Sequence, residues 1–149
     1  ALYLAEMGNP WTLKGENILL SKPEFDWEKQ GGMAINEGPV MLQRNGKLFL
    51  VYSASATWSD DYALGMLTAS DEADLLQAES FTKSPDETED WIVYHAVPES
   101  EAGSSRRSTR IQKFSWKADG TPDFGIPLPV STPIPVPSGE EAAGESSDL

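Results

Sequence analysis

Apolar and polar residues follow one another in short runs along residues 1–126, each run closed by turn-forming residues. "ALYLAEM" sets Leu2 and Leu4 against Tyr3 and Ala5, a period of two that predicts a short strand. "GNPWTLKG" reads as turn chemistry around Gly8, Asn9-Pro10 and Gly15, and "ENILLS" as a second strand. "PEFDWEKQGG" is a polar loop that carries Phe25 and Trp27. The clearest hairpin is "PVMLQ", Arg44-Asn45-Gly46-Lys47, "LFLVYSAS", because Asn and Gly both tolerate the positive φ of a tight turn. Its second arm is apolar on both faces, which predicts an inner strand covered on both sides.

"YALGMLTA" continues as a strand after the loop "ATWSDD". Ser70-Asp71 is placed to cap a single helical turn over "EADLLQ". "SFTKS", the acidic turn "PDETED" and "WIVYHAV" form a strand pair with a short link, and "PESEAGSSRRS" is a loop. "TRIQKFSWK" and "PDFG" flank Ala118-Asp119-Gly120-Thr121 as the last hairpin. The fold class is therefore all-β, built from short antiparallel strands. From Pro127 the character changes: "PLPVSTPIPVPSGEEAAGESSDL" has five Pro in its first eleven residues and no basic residue. Such a segment buries too little apolar surface to offset its ordering entropy, so residues 127–149 are expected to be extended and then disordered. A solubilising tail or linker and a Pro-rich docking peptide both fit that composition.

At 149 residues the chain is long enough to bury a core. Eleven Lys and Arg against 24 Asp and Glu give a net charge of -13. Glu140, Glu141, Glu145 and Asp148 lie in the tail, so the part expected to fold still carries -9 (-13 + 4). That surface repels phosphate backbones and anionic lipid, which makes nucleic acid and membrane poor partners for it. A neutral ligand suits it better, and five Trp offer flat apolar faces. There is no Cys, hence no disulfide and no thiolate metal site, and no motif calls for a cofactor. No apolar run approaches the ~18 residues of a membrane span. The chain starts at "ALYLAEMGNP" without Met, without the basic start of a signal peptide and inside a strand, as a fragment would.

One stretch asks for chemistry: "AINEGPVML" puts Asn36 and Glu37 at the mouth of an apolar run, followed by Gly38-Pro39. Either Glu37 points into water from a turn, or it is held in a pocket that needs a proton. His95, the single histidine, lies in the strand "IVYHAV" and reads as a structural residue rather than a ligand or base. Trp58 in "SATWSDD" offers either a stacking face for a sugar or ordinary packing at a loop base. Asp60 and Asp61 read as solvated loop acids, and Arg106 and Arg107 as surface charge.

Taken as one phrase, "INEGPVMLQRNGKLFLVYSASATWSDDYALGMLTASDEADLLQAESFTKSP" resembles glycoside hydrolase family 43, and "DWIVYHA" and "RIQKFSWKADGTPDFG" follow in the family's order. The resemblance spans about residues 2–126. It implies part of a five-bladed β-propeller, about three blades of a fold shared by α-L-arabinofuranosidases, β-xylosidases and endo-arabinanases. It implies an extracellular inverting hydrolase without a cofactor, acting on arabinan, arabinoxylan or their oligosaccharides. Glu37 occupies the family's general-acid position, and Asn36, Trp58 and Arg110 become candidate substrate contacts. Flanked by Ile35 and Val40, the carboxyl is expected to be partly desolvated, which favours the protonated form a donor needs.

The pattern is incomplete. The family's general base belongs to an earlier blade, and no segment resembles the context of its second Asp. An insert with a Gly-His-Asn-type element is also missing where "TKSP" runs directly into "DETEDWIVYHA". Two readings follow: a glycosidase that is impaired as this chain, or a non-catalytic propeller remnant that binds carbohydrate or protein.

Overall fold

The computed structural model describes residues 1–70, 82–99 and 106–140. Among them are nine strands, two short 3₁₀ turns and no α-helix, as the all-β reading expects. The helical turn expected over "EADLLQ" lies outside the described residues. The chain divides into two compact units, Ala1–Ala78 and Glu79–Leu149.

The first unit opens with a hairpin of β1 (Leu2–Asn9) and β2 (Thr12–Ser21). Gly15, expected in the turn, instead lies within β2, where the pairing slips between Leu4↔Ile18 and Glu6↔Lys14. Its φ of 78° suits a bulge, which absorbs extra residues without ending the strand. After 3₁₀ turns at Asp26–Glu28 and Gln30–Gly32 comes a three-stranded antiparallel sheet of β3 (Asn36–Arg44), β4 (Lys47–Ala54) and β5 (Ala63–Ser70). Asn45 and Gly46 link β3 to β4 with φ of 47° and 75°, the conformation that the Asn-Gly signal predicts. β4 is the central strand and is covered on both faces: Tyr52 and Ala54 are buried on one side, Phe49 and Val51 on the other. Leu2, Tyr52 and Ala54 form the core with Leu20, Leu50 and Leu67 packed around them.

The second unit is a four-stranded sheet in the order β6 (Thr82–Lys83), β7 (Asp90–Ala96), β8 (Ser108–Trp116), β9 (Pro122–Asp123). Trp91, Ile92 and Phe114 are its buried apolar residues, and Phe114 lies 5.1 Å from the ring of Phe124 and 5.5 Å from that of Trp116. Residues 127–140 run without regular strand and are tied to this sheet. Gln112 Oε1 accepts from the Leu128 amide at 3.2 Å, and Glu89 Oε2 accepts from the Ser138 amide at 3.1 Å. Asp86 accepts from the hydroxyls of Ser138, Ser84 and Thr88 and from the Thr88 amide.

Those donors, the Ser138 hydroxyl first, hold the Asp86 carboxyl well below the usual carboxylate range. Lys113 and then the Ser138 amide do the same to Glu89, more weakly. Carboxylates depressed in the folded state stabilise it above their unfolded range near pH 4, and that stabilisation fades as pH falls further. The tether at Ser138 is therefore expected to hold at about pH 6 and loosen below about pH 3. ¹⁵N relaxation of Ser138 and Gly139 reads this directly, and equal order at both pH values would contradict it.

Candidate functional site

Glu37 stands second in β3, opposite Ser53 of β4. The register then jumps to Val40↔Val51, so Gly38 and Pro39 together face Tyr52. This bulge is the structural content of the Gly-Pro pair: it breaks the ladder and re-aims the residue beside it. Glu37 is half-buried, and its Oε1 accepts a hydrogen bond from the Tyr62 phenol at 3.0 Å. It is neither a turn residue nor free in water.

Asn36, its neighbour, leaves the opposite face of the strand and is 3% exposed. Its Nδ2 donates to Glu28 Oε1 at 2.9 Å and to Ser21 Oγ at 3.2 Å. Glu28, 1% exposed, is the centre of this layer. Its Oε2 accepts the amides of Glu24 at 2.7 Å and Phe25 at 2.8 Å, and Oε1 also accepts the Tyr52 phenol at 3.0 Å. Burial alone would push this carboxyl up. The amides of Phe25 and Glu24, with Asn36 and Tyr52, outweigh it and hold the group below the usual range. Burial, then the bond to and charge of Glu28, push the Tyr52 phenol up to about 12. Tyr52 reaches Glu28 because it faces Gly65 across β5, where a Cβ would lie 2.3 Å from its Cζ.

Above this layer the loop after β4 is sewn to the loop before β3. Ser55, fully buried, adopts a φ of 73°, a left-handed conformation that a non-glycine residue keeps only under constraint. The constraint is visible. Ser55 N donates to Ile35 O at 3.1 Å, Ser55 Oγ donates to Trp27 O at 2.7 Å, and the Gln30 amide donates to that hydroxyl at 2.9 Å. Gly31 fits because a Cβ there would sit 2.7 Å from that of Ala56 and 2.8 Å from that of Ser59. Trp58 is 57% exposed, yet its indole N–H donates to Gly31 O at 3.1 Å. A fixed ring with an open face is what a stacking platform requires. The turn Ser59–Tyr62 then brings the chain back into β5, with the Tyr62 amide donating to Ser59 O at 3.2 Å.

The remaining candidates have the following contacts. Arg110, in the second unit, donates to the carbonyls of Val97 at 3.3 Å and Leu128 at 3.5 Å. His95 is exposed on β7, with Nε2 3.1 Å from Thr109 Oγ1. Asp60 and Asp61 are exposed, and Asp61 accepts from Ser59 Oγ at 3.2 Å. Arg107 is exposed and Arg106 pairs with Glu99 at 3.1 Å, both on the surface. Sequence reasoning left out Glu28, Ser55 and Tyr62. Glu28 sat in a polar loop with no periodicity to mark it, whereas Tyr62 carried a usable sign, an aromatic immediately before a strand of the same sheet as Glu37.

Residues 1–77 match the family model of glycosyl hydrolases family 43. The chain belongs to that family. It is 38% identical over 177 residues to alpha-L-arabinofuranosidase 43 of Humicola insolens, a match covering 99% of this chain and 36% of that protein. It is 41% identical over 157 residues to the extracellular exo-α-(1→5)-L-arabinofuranosidase of Streptomyces avermitilis, covering 86% of this chain and 32% of that one. Among solved structures it resembles an alpha-L-arabinofuranosidase from Lactobacillus brevis, at 39% identity and a TM-score of 0.77 over 88% of this chain and 49% of that one. The chain thus spans about a third of the length of the first two proteins and about half of the third. These likenesses support the expected partial propeller, and the coverage fits a fragment.

Removing one donor from the buried Glu28 tests this architecture. Tyr52→Phe is expected to lower the opening free energy of the β3–β4 amides, measured by hydrogen exchange, by about 1.5–3 kcal/mol. A loss under about 0.5 kcal/mol would show that the phenol is not a needed partner.

Proposed function

We propose that this chain is the acid-bearing part of an inverting glycoside hydrolase that releases arabinofuranosyl or xylosyl groups from plant polysaccharide. The observation that carries the reading is the placement of Glu37 in a family 43 segment: half-buried at a bulge, with one oxygen held by a phenol. In the proposed reaction its carboxyl protonates the departing glycosidic oxygen. Trp58, fixed and open-faced on the loop that also carries Tyr62, stacks on the sugar ring. Asn36 acts on the sugar only through the strand that it anchors, because its side chain is buried against Glu28. Arg110 stays outside the assignment, its guanidinium being engaged by two carbonyls.

Inversion needs a second carboxylate across the sugar, about 6.5–9.5 Å from the first, with water between. No segment of this chain carries the motif that would supply it, so these 149 residues alone are expected to turn over slowly. Arabinan, arabinoxylan and their oligosaccharides are the proposed substrates, met outside the cell.

An acid is needed most when the leaving group is a poor one. Glu37→Gln is expected to slow hydrolysis of methyl α-L-arabinofuranoside by about 10²–10⁴-fold. Hydrolysis of the 2,4-dinitrophenyl glycoside, whose phenolate leaves unaided, should change far less. Paired rate measurements on the two substrates decide it, and equal losses on both would refute the acid assignment.

A further inference from the structure

We propose that Tyr62 is the positioning residue of Glu37, fixing one carboxyl oxygen so that the other carries the proton given to the leaving group. The assignment rests on the reading of Glu37 as the general acid. A glutamate side chain forfeits rotamer freedom when it is held in one arrangement, so an acid needs a partner that enforces its aim. Tyr62 Oη donates to Oε1 at 3.0 Å, so Oε1 is an acceptor in this state and a proton on the carboxyl belongs on Oε2.

The fold brings the two residues near the same end of the sheet. Asn36, Ala54 and Ala63 form one row across β3, β4 and β5, and Glu37 follows Asn36 as Tyr62 precedes Ala63. Side chains alternate along a strand, so Glu37 rises on the face opposite Asn36, and Tyr62, one residue before β5, reaches it there with its phenol. Tyr62 is itself set by a turn: its amide donates to Ser59 O at 3.2 Å, and Ser59 Oγ accepts the Asp61 amide at 3.0 Å. The phenol is half-buried, which strengthens its bond to a carboxylate relative to one in open water.

In the reaction the Oε2–H bond breaks and an O–H bond forms on the glycosidic oxygen. The C1–O bond then cleaves, its electron pair going to the departing alcohol, and a water molecule bonds to C1 through its oxygen and loses its second proton to solvent. Glu37 ends as a carboxylate, and the Tyr62 bond becomes charge-assisted as that charge develops. The phenol therefore holds the transition state more tightly than the ground state.

Tyr62→Phe tests this by two readouts. Three-bond couplings about the Glu37 Cβ–Cγ bond are expected to show one rotamer in the wild type and rotational averaging in the variant, with the amide shifts of Asn36 and Ser53 unchanged. Turnover of the methyl arabinofuranoside should fall about tenfold or more beyond any loss on the dinitrophenyl glycoside. A Glu37 side chain that is averaged in the wild type, or that stays in one rotamer in the variant, overturns the assignment whether or not turnover is measurable. So does an equal loss on both substrates. Glu37→Gln separates the two failures. If it leaves methyl glycoside turnover intact, the acid reading itself falls. If it abolishes that turnover while Tyr62→Phe spares it, only Tyr62's role is lost.

Discussion

Glu28 is a carboxylate with 1% exposure, and an ion taken out of water destabilises a fold by several kcal/mol unless its lone pairs are filled. Four donors fill them here, and no two come from the same residue: Glu24 and Phe25 from the loop backbone, Asn36 from β3, Tyr52 from β4. The loop before β3 thereby has one place relative to the sheet. With it, the first residues of β3 are fixed, and Glu37 is the second of them.

What rests on this layer is a second set of constraints that share residues with it. Trp27, one residue before Glu28, gives its carbonyl to Ser55, and Gln30, two residues after, gives its amide to the same hydroxyl. Ser55 is thus held in a left-handed conformation that turns the chain out of β4 and into the loop carrying Trp58 and Tyr62. An indole tied to Gly31 and a phenol tied to Glu37, both on one loop, are a combination that a flexible loop could not hold. The cost of the Ser55 conformation, about 1–3 kcal/mol, is offset by those bonds.

Much of the scaffold was legible because it rests on local rules. Asn45-Gly46 specified its turn through positive φ, and the apolar run of β4 announced a strand buried on both faces. Gly15 misled, since a glycine in a bulge and a glycine in a turn look alike without a register. Glu37 was found by resemblance, but its surroundings were not, because the bond from Tyr62 spans 25 residues and needs both β3 and β5 to be in register on β4. Glu28 was the least legible. A buried glutamate in a loop differs from a solvated one only through partners at positions 24, 25, 36 and 52, and the sequence does not say that these converge.

The central claim is that Glu28 is ionised while buried and that its charge organises the site's base. The opening free energy of the β3–β4 amides, followed by hydrogen exchange against pH in the wild type and in Glu28→Gln, tests it most directly. Because the folded carboxyl lies below the usual range, its stabilisation is complete above its unfolded value of about 4.3 and is lost as pH falls below it. The difference between the two curves should therefore be large and flat at neutral pH and shrink on acidification below about pH 4. Parallel curves across that range would show that the Glu28 pKa is unchanged by folding, and a difference that grows on acidification would show that the group is neutral in the folded chain; either would contradict the account.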